Sequence, residues 1–149
     1  MWLSGWLKRR NAVLSVSSVK HLKILAVLIS LDDIFLLEYL GNQHGWETKF
    51  AGTPREAFKL ASYGNFDLIL CDRNQSGYPW REVMDRLAAS SPRSCILLVS
   101  PTNDDYLWWD VLHHRGFDVL IRPLREEIVL RAVDTAVRCL CPVASCSSV

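Results

Sequence analysis

Four short apolar runs constrain this chain more than any other feature of it: residues 24–29, 68–71, 95–99 and 119–121. Each is apolar on successive residues, not on alternate ones. A strand with one wet face alternates. A strand buried on both faces does not, and such strands belong to parallel sheets covered by helices on both sides. A fifth, more polar segment at residues 47–51 reads as an edge strand. Helical patterns fill the gaps. Thr53-Pro54-Arg55-Glu56 combines an N-cap threonine, a proline at the first helical position and a glutamate closing a capping box. Ser30 heads a second helix with Asp32 and Asp33 in its first turn. Residues 80–89 carry Val83, Met84 and Leu87 at helical spacing. Thr102 is expected to cap a helix bearing Leu107, Trp108, Val111 and Leu112, with Gly116 as its left-handed terminator. Residues 125–138 complete the series. The order βαβαβαβαβα predicts an α/β fold: a flavodoxin-like (βα)5 doubly wound parallel sheet of strand order 2-1-3-4-5.

A chain of 149 residues suits one folded domain with a sizeable core, expected over residues 20–139. Residues 1–19 are expected to be a flexible extension, with a membrane or partner anchor through Trp2, Trp6 and Leu7 as the alternative. Residues 140–149, rich in Cys and Ser, are expected to be a flexible tail. The net charge of +1 offers no basic surplus for nucleic acid. No run is long enough to span a membrane. The five cysteines lack paired CxxC spacing, so a zinc site is not expected. Their odd number, without a secretory signal, points to a reducing cytoplasm.

Ligand chemistry on such sheets gathers at the carboxyl ends of the strands. At those ends the sequence resembles the receiver domains of bacterial response regulators (the CheY-like superfamily). FDLILCDRNQSGYPWREVM is similar to a receiver's third strand and following helix, and puts Asp72 at the phosphoacceptor position. ILLVSPTNDD is similar to the fourth strand, ending in Ser100. FDVLIRPL is similar to the fifth, ending in Arg122-Pro123 where the family has Lys-Pro. The three positions stand 28 and 22 residues apart, as the family's do. Two departures mark an atypical or degenerate member. Counting back from His44-Gly45-Trp46, the positions that hold Mg²⁺ in the family fall on Leu28 and Ile29, which have no oxygen to offer. Gln75-Ser76 also replaces the family's Met-Pro.

The resemblance implies a stand-alone phosphorelay receiver, with partners in a histidine kinase or relay protein and a downstream effector. It also implies contact through the fourth helix, fifth strand and fifth helix, with a second copy of the chain as a further candidate. Asp72 would be the nucleophile, Ser100 a hydroxyl donor to the phosphoryl group, and Arg122 the fixed positive charge. Mg²⁺ is expected to bind weakly. Asp32 and Asp33 either join Asp72 around the ion or serve the helix macrodipole, and the spacing favours the helix. Arg122 makes bidentate carboxylate contacts that Lys does not, so a direct ion pair with Asp72 is expected. A purely structural interaction module, or pseudo-receiver, is the alternative. An enzyme is not expected: no glycine-rich phosphate loop follows the first strand, and Asn74 stands where an aspartyl phosphatase has its second acid. His113 and His114 lack a further ligand and read as surface residues. Trp108 and Trp109 are adjacent, so at least one is expected to be exposed as a partner contact.

Overall fold

The computed structural model describes residues 21–140; the expected N-terminal extension and nearly all of the C-terminal tail lie outside that range. Five parallel strands form one sheet: β1 (Lys23–Val27), β2 (Glu47–Phe50), β3 (Leu68–Asp72), β4 (Cys95–Ser100) and β5 (Asp118–Ile121). Their order is β2-β1-β3-β4-β5, the predicted flavodoxin-like arrangement. Five helices connect and follow them: α1 (Leu31–His44), α2 (Pro54–Tyr63), α3 (Trp80–Ser90), α4 (Leu107–His113) and α5 (Glu126–Leu140).

The continuous apolar runs build two cores because alternate strand residues face opposite ways. Leu25, Val27, Ile69, Cys71, Ile96 and Leu98 pack under α2, α3 and α4. Ile24, Ala26, Leu68, Leu70, Leu97 and Val99 pack under α1 and α5. Each buried Leu or Ile contributes about 1.5–3 kcal/mol, so the central strands need side chains on both faces. Edge strand β2 buries none of its residues fully, as its polarity predicts. Among the described residues no helix is long and apolar enough to cross a membrane.

Two local expectations fail at α4. Thr102 does not cap this helix: α4 begins at Leu107, behind Tyr106, which adopts a left-handed backbone (φ 68°). Thr102 instead meets the guanidinium of Arg73. At the far end Arg115, not Gly116, takes the left-handed position. Gly116 serves packing, since a Cβ there would stand 2.3 Å from Val111 and 2.4 Å from Met84. The Thr53 start holds: Glu56 N–H donates to Thr53 Oγ1 (3.2 Å), and Glu56 Oε1 accepts from Gly52 N–H (2.6 Å). Cys71 lies in the core, and burial pushes its thiol above the ordinary range. Cys95 is half-buried, and burial, then Cys139 and Asp67 nearby, push it up to about 11.

Candidate functional site

Asp72 ends β3 and is 0% exposed. A carboxylate withdrawn from water needs donors on its oxygens, and three converge on it. Asn74 N–H donates to Oδ1 (3.1 Å), Ile29 N–H donates to Oδ2 (3.2 Å), and Arg122 Nη2 donates to Oδ2. Leu28 and Ile29 follow β1. The side chain of Leu28 joins the core and that of Ile29 turns outward, so this segment meets Asp72 with a backbone amide in place of a carboxylate.

Arg122 follows β5, two strands away from Asp72, and its long side chain spans the end of β4 between them. Its Nε donates to Asp33 Oδ2 at 2.6 Å. The guanidinium thus bridges two buried acids, Asp33 on one side and Asp72 on the other. Burial works against the charged guanidinium, but the bonds to Asp33 and Asp72 outweigh it and hold the pKa above the usual value. The expected Asp72–Arg122 pair is present. The expectation that Asp33 serves only the helix dipole is corrected. Both acids do stand in the first turn of α1, but Asp33 is buried against Arg122 while Asp32 faces solvent. Adjacent helical residues point about 100° apart, so only one of the two can face the sheet end.

Ser100 ends β4 and is fully buried, yet its hydroxyl is engaged elsewhere. It donates to Thr102 O (2.7 Å) and accepts from Arg73 Nη1 (3.2 Å) and Thr102 N–H (3.3 Å). None of the hydroxyl's hydrogen bonds reaches Asp72 or Arg122; Ser100 meets Arg122 only through the backbone, where its carbonyl accepts from Arg122 N–H (2.9 Å). Arg73, which sequence reasoning did not single out, organises this side. Besides Ser100 it donates to Thr102 Oγ1 and pairs with Asp104 at 2.6 Å. That pairing holds the Asp104 carboxyl below the usual range. Gln75 was likewise missed as a structural group. Its Nε2 donates to the carbonyls of Val27 (2.9 Å) and Asp72 (3.2 Å), tying the ends of β1 and β3 together. Two long polar side chains in a loop carry no periodic signal that would mark them in a sequence.

Mg²⁺ demands about six oxygens in near-octahedral array. The two carboxylates that face each other here, Asp33 and Asp72, have a guanidinium between them. Among the described residues no group of three His, Cys, Asp or Glu side chains gathers as a metal site. The residues therefore do not fit a Mg²⁺ site, and Arg122 supplies the positive charge directly. His113 and His114 play no part here: His113 meets Trp109 O (2.8 Å) and His114 meets Asp85 on α3 (3.0 Å).

No protein-family model matches this sequence, and no curated protein matches it. Solved structures do resemble its fold. A two-component response regulator from Clostridium difficile is similar at TM-score 0.73 and 23% identity, over 79% of this chain and 97% of that one. The Vibrio cholerae chemotaxis protein CheY4 is similar at TM-score 0.72 and 20% identity, over 78% and 99%. A response regulator from Thermotoga maritima gives TM-score 0.72 and 18% identity, over 79% and 98%. At these identities the likeness is one of fold: residues 21–140 adopt the CheY-like fold of response regulator receiver domains.

Proposed function

We propose that this chain is an atypical receiver-type signalling module, in which Asp72 holds the phosphoacceptor position but an internal ion pair replaces Mg²⁺ and phosphate, and output passes through a protein partner. The single observation that carries the reading is the Asp33–Arg122–Asp72 bridge. A phosphorylated receiver needs an accessible nucleophile and a cation that neutralises the incoming phosphoryl group. Here the buried nucleophile is already neutralised by a partly buried arginine, and both of its oxygens already accept hydrogen bonds. Signalling without phosphotransfer is therefore the function this geometry supports best, and no catalytic step is required of the chain.

The partner surface follows from exposure. Helix α4 buries only Leu107 and Val111 and leaves Trp108 and Trp109 48% and 57% exposed. Large exposed aromatics side by side favour a binding role. The deciding experiment is incubation with acetyl phosphate and Mg²⁺, followed by mass spectrometry for an acid-stable, base-labile adduct. The expected result is no adduct on Asp72. Stoichiometric labelling there would return the chain to the ordinary phosphoacceptors and sink this reading.

A further inference from the structure

Helix α1 has more apolar surface than its place in the fold needs. Leu37 and Leu40 face the core. Elsewhere on the same helix Leu31, Phe35 and Tyr39 are 65%, 61% and 52% exposed. Their spacing of i, i+4 and i+8 sets them in one row about 12 Å long. Single apolar residues scattered on a surface need no explanation, but a contiguous row of large ones marks a contact. By helical position Glu38 and Asp32 flank this row on its two sides, and both are exposed. The surface is an apolar stripe with an acidic rim.

We propose that residues 1–19 of the same chain cover this stripe, with Trp2, Leu3, Trp6 and Leu7 on Leu31, Phe35 and Tyr39, and with Lys8, Arg9 and Arg10 against Asp32 and Glu38. Three arguments select this occupant. The first is spacing: Trp2 and Trp6, and Leu3 and Leu7, repeat at i and i+4, the interval of the stripe itself. The second is charge: three basic residues follow directly, opposite in sign to the rim. The third is the tether. Leu22 O accepts from Glu47 N–H (2.8 Å), so the chain enters β1 close to where α1 ends at His44. Residues 8–20 span up to about 40 Å when extended, twice the length of α1 at about 21 Å. A tethered segment acts at an effective concentration in the millimolar range, which a free partner must match. The covering is independent of the phosphorylation reading, although it adjoins the triad: Ile29, which donates its N–H to Asp72, lies two residues before Leu31.

The test places the photoreactive residue p-benzoylphenylalanine at Phe35 in the full chain and maps cross-links by mass spectrometry at two protein concentrations. The expected product joins α1 to a peptide within residues 1–10 of the same molecule, in a yield that does not change with concentration. Lys8→Glu, Arg9→Glu and Arg10→Glu together should lower that yield at least fivefold, and adding Asp32→Lys with Glu38→Lys should restore it. A yield that rises with concentration would assign the stripe to a second copy and overturn the proposal. Absence of any cross-link to residues 1–10 would overturn it as well. Flotation of the full chain with phosphatidylserine vesicles, in that second case, would give residues 1–10 to a membrane surface instead.

Discussion

Arg122 neutralises two buried carboxylates at once, so its loss is costlier than the loss of either acid. With Arg122→Ala, Asp33 and Asp72 both remain buried without their cation, and breaking such a pair costs about 3–5 kcal/mol. With Asp72→Ala the guanidinium keeps Asp33, so the expected cost is smaller. The double variant should lose less than the sum of the two, because the partners belong to one network. Urea denaturation measures all three; strict additivity would show that the triad is not energetically coupled. The pH dependence has a definite sign. The pKa of Arg122 is raised on folding, so its contribution is complete below the ordinary arginine value and fades only above it. The arginine's share of triad stability should therefore be flat from pH 5 to 9. Mg²⁺ at millimolar levels should leave the tryptophan fluorescence unchanged. Much of this site was legible in the sequence, because Asp72 and Arg122 both stand at the carboxyl ends of strands, where side chains converge. Asp33 was not. Its approach to Arg122 from the first turn of α1 follows from the angle at which that helix leaves β1, which no residue pattern encodes.

At the scale of elements, the loop between β4 and α4 is held by one side chain. Arg73 joins Ser100, Thr102 and Asp104, and the start of α4 follows from where that loop is pinned. This explains why the sequence placed the helix too early: Thr102 has the chemistry of a cap, but its hydroxyl is claimed by a tertiary contact. Helix α4 is then strapped to α3 by Arg81–Asp110 and by His114–Asp85. The hydrogen bond from Arg81 holds the Asp110 carboxyl below the usual range. A depressed carboxylate stabilises the fold above its unfolded value of about 3.9 and loses that contribution as pH falls through the lower folded one. Arg81→Gln should accordingly reduce the loss of stability between pH 5 and pH 2.5, a difference read by denaturant melts at the two pH values. Gly116 closes the same unit, and Gly116→Ala should cost about 1–3 kcal/mol through overpacking against Val111 and Met84, seen as a lower urea midpoint at unchanged slope.

For the whole molecule the two-sided sheet was readable because burial on both faces leaves runs such as Leu68-Ile69-Leu70-Cys71 no polar position. The same logic separates folding residues from binding residues on α4. A seven-residue helix turns about twice, and only Leu107 and Val111 point inward. Trp108 and Trp109 stand edge to face, ring centroids 5.2 Å apart at 70°, and both remain about half exposed. Folding does not require two large aromatics there, because surface positions outside such networks contribute within about 0.5 kcal/mol. An aromatic pair in an interface is worth far more, about 2 kcal/mol or above per anchoring residue. If these tryptophans serve a partner, Trp108→Ala and Trp109→Ala should each change stability by no more than about 0.5 kcal/mol. Leu107→Ala, in the same helix, should cost about 2–5 kcal/mol because it opens a cavity in the core. A loss of 2 kcal/mol or more from either tryptophan variant would make the pair part of the fold and remove the ground for a partner surface on α4.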